Sequence, residues 1–237
     1  MGSQHKLFGV EHMNVNGPVN IALVDFETTG LDPKKDTIID GAVILCEYKI
    51  VEDKTYEGPV TAGEPIEHYT SRNDPGFPIP QSITELTNIK DSDVKGQSFN
   101  WSKFWQIADH AQIIVAHNMQ FDSSFMQGLN EARRQRLGCS LKMINWNAAG
   151  LTCKKLSHLA QDLKIDVNVK TLHGAMADAQ LLMYMLGCKL KGRYLWQTIV
   201  DAKSTNWMIC KAIGAAFDKK DFLKANGFEW NAADKYW

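Results

Sequence analysis

Two acidic residues interrupt an apolar run near the start of the chain, in the segment IALVDFETTG. Asp25 and Glu27 are two positions apart, so on a β-strand both side chains would project from the same face. Two carboxylates at that separation raise each other's pKa and repel unless a cation lies between them. The pair therefore indicates a salt bridge to Lys or Arg, a strand that ends at Val24 with both acids in solvent, or a site for a bound cation.

Two further acids stand at predicted junctions between elements. Asp122 follows a short apolar strand in HNMQFD, and Asp178 lies in the first turns of an apolar helix, five residues after His173 in HGAMAD. An unpaired acid is costly to bury among apolar side chains. Four acids that met at one edge of a sheet would form an oxygen-rich pocket, which suits a hard divalent ion such as Mg²⁺ or Mn²⁺. Zinc fits this set less well, because no thiolate lies nearby.

The elements that must position these acids alternate between strand and helix patterns. β-Branched and apolar runs predict strands over 20–27, 37–48 and 111–117, and another within 57–70. Apolar residues at helical spacing predict helices over 81–87, 98–112, 123–136, 152–163 and 175–186. Three prolines exclude regular structure from 73–80. This order of elements predicts an α/β fold with a mixed sheet.

Composition and charge restrict the class of protein. The chain has 237 residues, of which 44% are hydrophobic and 22% charged, as is usual for a soluble globular protein. A net charge of −1 argues against binding nucleic acid by bulk positive charge, although a local basic groove is compatible with it. The five scattered cysteines predict reduced thiols and a cytoplasmic location. No apolar run approaches the ~20 residues that cross a bilayer, so no membrane partner is expected.

Three segments of the chain, DFETTGLDP, HNMQFD and HGAMADA, resemble the three exonuclease motifs of the DEDDh family. This family includes the proofreading subunit of bacterial replicative polymerases and ribonuclease T. The connecting segments PGFPIP (75–80) and IIVAHN (113–118) resemble those of the family as well. ELTNI (85–89) stands where the family usually has T-G-I-T, with Asn88 in the place of Gly. The resemblance covers roughly residues 19–186, with all motifs in order.

The resemblance implies a fold, a metal site and a catalytic set. The fold would be similar to ribonuclease H, with a mixed five-stranded sheet flanked by helices. Two Mg²⁺ or Mn²⁺ ions would be held by Asp25, Glu27, Asp122 and Asp178, with Asp25 reaching both ions. His173 would be the general base that takes the proton from the attacking water.

The resemblance also implies a set of substrate-binding positions: Thr28, Thr29, Leu31, His117, Asn118 and Phe121. The two threonines would meet the terminal nucleotide and its 3′-OH, and Leu31 would wedge between the last two bases. Each position has a structural alternative. The threonines are also common turn formers, His117 and Asn118 could tie a strand to its neighbours, and Phe121 could belong to the core.

The composition changes after about residue 189, because four of the seven tryptophans fall in the last 48 residues. Segment 209–237 predicts a short helix over 218–225, a stop at Gly227 and a two-stranded hairpin. Its lysines and aromatic residues would either follow a single strand of nucleic acid or surround a small core. We therefore predict a leader or tag over 1–17, an exonuclease domain over 18–189 and a C-terminal appendage over 190–237.

These features predict a metal-dependent 3′→5′ exonuclease that acts on single-stranded or frayed 3′ ends, with DNA favoured, and releases nucleoside 5′-monophosphates. One alternative is an exoribonuclease. The loops that would sense the 2′-OH of RNA have a geometry that the sequence does not reveal. Another is a non-catalytic nucleic-acid-binding module, which would be expected to lack one of the five catalytic residues. A polymerase or repair partner is compatible with the predicted activity, as is either a monomer or a homodimer.

Overall fold

The computed structural model describes residues 17–50, 63–165, 174–204, 212–225 and Trp230. The strands are β1 (Val19–Thr28), β2 (Ile38–Tyr48), β3 (Gly63–Arg72), β4 (Ile113–Ala116), β5 (Leu137–Cys139), β6 (Lys189–Leu190) and β7 (Arg193–Tyr194). The helices are α1 (Gln81–Thr87), α2 (Asp91–Val94), α3 (Trp101–Ala108), α4 (Met119–Phe125), α5 (Glu131–Arg134), α6 (Ser140–Met143), α7 (Leu156–Asp162), α8 (Ala175–Leu186), α9 (Leu195–Ser204) and α10 (Lys220–Ala225). The predicted α/β class is confirmed.

The first five strands form one mixed sheet in the order β3-β2-β1-β4-β5. β1 pairs antiparallel with β2 on one side and parallel with β4 on the other, so it is the central strand. β2 pairs antiparallel with β3, and β4 pairs parallel with β5. This arrangement confirms the mixed five-stranded sheet that the family resemblance implied. β6 and β7 form a separate two-stranded hairpin.

The two faces of β1 pack against different sets of helices. Ile21 and Leu23 belong to a buried cluster that includes side chains of α8 and α9. Val24 and Phe26 point the other way, into a second cluster that includes side chains of α3 and α4. Because successive side chains of a strand alternate between its faces, the acid at position 25 continues the row that faces α8.

The predicted continuous helix over 123–136 is wrong. α4 begins earlier, at Met119, and ends at Phe125, and the short helix α5 follows only at Glu131. Between them Gly128 has a φ of +77°, which interrupts any helix. The indole Nε1 of Trp105 donates a 2.6 Å hydrogen bond to the carbonyl of Gln127, so a tertiary contact holds this break in place.

Other boundaries differ by smaller amounts. The helix expected over 152–163 begins only at Leu156, and the three-residue strand β5 was not predicted at all. The prolines of 73–80 keep that segment out of regular structure, as expected. Within the described residues, no helix combines the length and the hydrophobicity that a bilayer crossing needs.

Residue contacts divide the chain into a first unit over 1–204 and a second over 205–237. The division lies beyond the predicted boundary at 189, because Trp196, Ile199 and Val200 of α9 belong to the core of the first unit. In the second unit a 3₁₀ turn (Phe217–Lys219) leads into α10, where a helix over 218–225 was predicted. The predicted leader and hairpin lie almost wholly outside the described residues.

Gly41 of β2 lies directly opposite Phe26, under a cluster of aromatic rings. A Cβ at this position would lie 2.6 Å from the ring of Phe99 and 2.8 Å from the ring of Phe26. We expect Gly41→Ala to lower the free energy of unfolding by about 1–3 kcal/mol, because overpacking forces those rings apart. Urea unfolding would measure the change, with the exposed Ser102→Ala as control. An unchanged unfolding midpoint in Gly41→Ala would contradict this packing.

Candidate active site

β1 places two acids on the face of the sheet that α8 covers. Asp25 and Glu27 continue the row of Ile21 and Leu23, and both are only partly buried. The strand continues through them to Thr28, so it does not end at Val24. A regular strand fixes the spacing of the two side chains, because β1 stays paired with β2 over this whole stretch.

α8 brings the third acid to the same place. The helix begins at Ala175 after the extended Gly174, and Asp178 lies in its first turn. Asp25, Glu27 and Asp178 each offer a carboxylate oxygen, and these three oxygens all lie within 4.8 Å of one another. The structure therefore joins residues that are about 150 positions apart in the chain.

Asp122 is the fourth acid and the most deeply buried of the set, with a relative exposure of 3%. β1 and β4 run parallel, so their carboxyl ends meet at the same edge of the sheet, and α4 starts shortly after β4 ends. The backbone N–H of Phe26, which lies between the two acids of β1, is near enough to the carboxylate of Asp122 to lower its pKa, although burial outweighs this effect.

Burial and the charges of neighbouring acids raise the pKa values of three of the four acids. Burial raises the pKa of Asp25 well above its ordinary value, and the charges of Asp122, Asp178 and Glu27 raise it further. Burial is also the main cause that raises the pKa of Glu27 and that of Asp122 to about 7 each. Ionising all of these groups at neutral pH is therefore costly unless a cation joins them.

A salt bridge does not explain the acids of β1. Among the residues that the structure describes, no Lys or Arg nitrogen lies within 4.0 Å of the carboxylates of Asp25, Glu27 or Asp122. Arg72 is near enough to lower the pKa of Glu27, but burial and the charges of Asp178 and Asp40 outweigh it. The described residues thus offer the acids of β1 no salt bridge, and their arrangement is compatible with a site for a cation.

Asp40 is a fifth acid beside the site that the sequence interpretation missed. It lies on β2 opposite Glu27 and is 4% exposed. Burial raises its pKa, whereas Arg72 and hydrogen bonds from the backbone N–H groups of Ala175 and Gly41 lower it. An acid inside the apolar run IIDGAVIL was the visible signal, and it resembles the signal at Asp25.

The last residue of β1 and the loop after it hold three of the predicted substrate-binding residues. The hydroxyl of Thr28 donates to the carbonyl of Gly30 at 2.6 Å. The hydroxyl of Thr29 donates to the carboxylate of Asp36 at 3.1 Å and accepts from the backbone N–H of Thr37. Both threonine side chains thus help to form the turn. Leu31, in contrast, is 83% exposed and projects into solvent.

The three predicted substrate-binding residues around the start of α4 differ in how far contacts within the protein already engage their side chains. His117 has both ring nitrogens engaged, Nδ1 with the hydroxyl of Ser140 at 2.8 Å and Nε2 with the carbonyl of Lys154 at 2.7 Å. Asn118 precedes α4, is exposed and makes no capping hydrogen bond with its side chain. Phe121 is partly buried against the second core cluster.

A family model described as Exonuclease (RNase_T) matches residues 23–186, a range that contains the three clustered acids and Asp122. The chain belongs to this exonuclease family. The match confirms the resemblance that the three motifs indicated.

The chain is similar to a small part of larger polymerases. The DNA polymerase III PolC-type of Caldanaerobacter subterraneus is 34% identical over 180 residues, which are 68% of this chain and 11% of the polymerase. That of Listeria monocytogenes is 27% identical over 222 residues, 83% of this chain and 13% of the polymerase. The chain thus spans about a tenth of the length of these relatives.

Solved exonuclease structures share the fold. Exonuclease X in complex with 5′ overhanging duplex DNA has a TM-score of 0.51 at 18% identity, over 77% of this chain and 99% of that one. The zinc-bound complex of E. coli ExoI with single-stranded DNA has a TM-score of 0.54 at 17% identity, over 72% of this chain and 40% of that one. At these identities the similarity concerns the fold, and it confirms the predicted fold class.

The donor set of the acidic cluster fits an ion that prefers oxygen. Within the described residues, the trio of Asp25, Glu27 and Asp178 contains carboxylates only, and the adjacent Asp122 adds another. Hard cations such as Mg²⁺ and Mn²⁺ favour such ligands. The raised pKa values point the same way, because a bound cation would offset the repulsion. The predicted general base, His173, lies outside the described residues, directly before Gly174.

Proposed function

We propose that this exonuclease is metal-dependent and hydrolyses phosphodiester bonds from the 3′ ends of single-stranded or frayed nucleic acid, with DNA favoured. The products would be nucleoside 5′-monophosphates. The carboxylate cluster carries the proposal, since three acidic oxygens lie within 4.8 Å of one another with a fourth buried acid beside them. An anionic phosphodiester can approach such a pocket only when cations neutralise its charge.

In the proposed site, Asp25, Glu27, Asp122 and Asp178 hold two Mg²⁺ or Mn²⁺ ions, with Asp25 reaching both. A pair of such ions stabilises the attacking and leaving oxygens of an in-line displacement. The carboxylates come from one rigid strand and the first turns of two helices. Their fixed spacing supports the proposal, because little reorganisation is then needed during the reaction.

His173 is the proposed general base. Its ordinary pKa of about 6.5 allows the imidazole to accept a proton at neutral pH. His173 takes a proton from the attacking water while the water oxygen bonds to phosphorus. The bond between phosphorus and the 3′ oxygen breaks, and that oxygen takes a proton from solvent. Its place in the sequence, two residues before the start of α8, supports this role.

The favoured DNA substrate rests on the structural neighbours. Exonuclease X was solved with 5′ overhanging duplex DNA and E. coli ExoI with single-stranded DNA. A polymerase partner is proposed on the similarity to PolC-type polymerases. Co-purification of the full chain with the replicative polymerase of its source would test that partner.

Leu31 is the proposed contact that separates the last two bases. Fully burying a leucine side chain is worth about 1.5–3 kcal/mol, so losing that burial on substrate corresponds to a tenfold to hundredfold effect. We expect Leu31→Ala to lower kcat/KM on single-stranded ends by about that factor and to leave the unfolding midpoint unchanged. Leu86→Ala is the matched control, because Leu86 is also well exposed, at 63%, but lies on α1. Equal kcat/KM values for the two variants would contradict the wedge.

A degradation assay on matched DNA and RNA strands tests the proposed function. Each strand carries a 5′ label and is incubated with Mg²⁺, with Mn²⁺ or with a chelator. We expect a ladder that shortens from the 3′ end, 5′-monophosphate products and no reaction with chelator. Faster degradation of RNA would indicate the exoribonuclease instead. Binding of both strands without degradation under either metal would indicate a non-catalytic module.

A further inference from the structure

Three charged residues form a row across neighbouring strands next to the clustered acids. Glu27 of β1 pairs with Asp40 of β2, and Asp40 pairs with Arg72 of β3. Residues directly opposite each other on paired strands share one face of the sheet. The row therefore lies on the same face as the acids of β1, which is the face that α8 covers.

Asp40 also contacts the helix that carries Asp178. Its Oδ2 accepts a 3.0 Å hydrogen bond from the backbone N–H of Ala175, the first residue of α8. The first N–H groups of a helix have no partner inside the helix, and no residue at the start of α8 provides a side-chain cap. Asp40 thus acts as a cap from a distant strand and fastens the beginning of α8 to β2.

The hydrogen bond from Ala175 to Asp40, which we call the tether, lies one helical turn from a proposed metal ligand. Ala175 and Asp178 are three residues apart in α8, and α8 packs directly on β1 and β2. A shift of the first turn would move the carboxylate of Asp178 relative to those of Asp25 and Glu27, which β1 holds in place. The position of Asp178 therefore depends on how firmly the start of α8 is fixed.

Arg72 offsets part of the cost of burying the carboxylate of Asp40. The guanidinium Nε lies 3.7 Å from the Oδ1 of Asp40, and the side chain of Asp40 is only 6% exposed. A carboxylate buried beside other carboxylates is costly without a compensating cation. One carboxylate oxygen of Asp40 thus faces the guanidinium of Arg72, and the other accepts a hydrogen bond from the start of α8.

We propose that Asp40, balanced by Arg72, is a positioning residue for the metal site: it fixes the first turn of α8 and thereby sets the carboxylate of Asp178 against those of Asp25 and Glu27. This inference rests on the proposed metal-dependent function. Asp40 itself contacts the backbone of Ala175 and is not proposed as a ligand.

Two substitutions of similar size isolate the hydrogen bond. Asp40→Asn and Asp40→Leu both remove the charge and leave Arg72 without its partner, but only Asn can still accept from the N–H of Ala175. Groups that orient metal ligands typically change affinity by about 10–100-fold when removed. We expect the dissociation constant for Mn²⁺, measured by calorimetry on the full chain, to be about 10–100-fold higher in Asp40→Leu than in Asp40→Asn. Hydrogen exchange over 174–178 should also be faster in Asp40→Leu.

A control pair separates positioning from general stabilisation. Asp74 accepts from the backbone N–H groups of Gly76 and Gly96 in a loop, so it also holds backbone in place. Asp74→Asn and Asp74→Leu should differ in thermal stability but bind Mn²⁺ equally. A purely structural role for Asp40 would give the same pattern, and that result would overturn the proposal.

The remaining outcomes are also decisive. Equal exchange and equal Mn²⁺ affinity in the two Asp40 variants would overturn the proposal. If Asp40→Leu does not fold, Asp40→Asn alone decides: wild-type protection at Ala175 supports the tether, and its loss refutes it. A wild-type chain that bound no Mn²⁺ would reject the proposed function, whereas the exchange comparison would still test the tether.

Discussion

Asp25→Asn is expected to lower the rate of 3′-end degradation by at least about 10³-fold, with both Mg²⁺ and Mn²⁺. Asp25 interacts electrostatically with all the other acids of the set, since Asp122, Asp178 and Glu27 all raise its pKa. Replacing its carboxylate with an amide would weaken both proposed ion positions at once. Metal ions contribute several kcal/mol of charge stabilisation, and each 1.36 kcal/mol is a factor of ten in rate.

The same variant should be more stable than the wild type without metal. Burial and three neighbouring carboxylates disfavour the ionised form of Asp25, so Asp25→Asn should raise the melting temperature in the presence of chelator. Asp162→Asn, an exposed acid at the end of α7, is the control and should change neither property. Single-turnover rates and thermal melts would measure the two effects. Activity above a tenth of the wild-type rate would contradict the central role of Asp25.

The second large effect is a loss of stability in the metal-free protein as pH rises. The folded-state pKa values of Glu27 and Asp122 are about 7, above their ordinary values of 4.5 and 3.8. The folded state therefore holds protons that the unfolded state has released, so the stabilisation is complete at low pH and is lost as pH rises through 7. Between pH 6 and 8.5 we expect a loss of about 2–4 kcal/mol.

His117 acts in the opposite direction over part of this range. Its pKa is lowered by burial, so its contribution grows as pH rises through its ordinary value of 6.5 and is nearly complete by pH 8. Being a single group that titrates near the lower end of the range, it offsets only part of the loss.

Divalent ions should reverse this pH dependence. At about 100 times its dissociation constant, a ligand of the folded state adds about 2.7 kcal/mol of stability. Ion binding is favoured by ionised carboxylates, so Mg²⁺ or Mn²⁺ should stabilise the chain more at pH 8.5 than at pH 6. Urea unfolding at both pH values, with chelator and with each ion, would measure the effect. Equal metal-free stability at the two pH values, or no response to either ion, would contradict the ionisation assigned to the site.

The sequence predicted the parts of the site that lie on regular elements. The spacing of Asp25 and Glu27 follows from the two-residue period of a strand, and α8 has the predicted bounds of 175–186. Asp122 and Asp178 could be placed because each lies in the first turn of a helix at a family motif. The break at Gly128 was not predictable, because a tertiary hydrogen bond from Trp105 holds it.

Asp40 shows most clearly where sequence reasoning stops. Its apolar neighbours mark it as unusual but do not reveal its role, because its partners come from β3 and from α8. The same holds for Thr29, whose hydroxyl is shared between Asp36 and Thr37 of the following loop. Roles that depend on partners far along the chain, or on a loop closing back, require the assembled structure.

The alternation of side chains along β1 limits how the gene for this chain can change. Ile21 and Leu23 face one core, whereas Val24 and Phe26 face the other. Deleting one codon in this strand would turn Phe26 toward the acids and drive a carboxylate among the aromatic rings. Substitutions at single positions change one contact, but an insertion or deletion here would exchange the two faces together. Among related sequences, insertions and deletions should therefore occur in the loops and not in this strand.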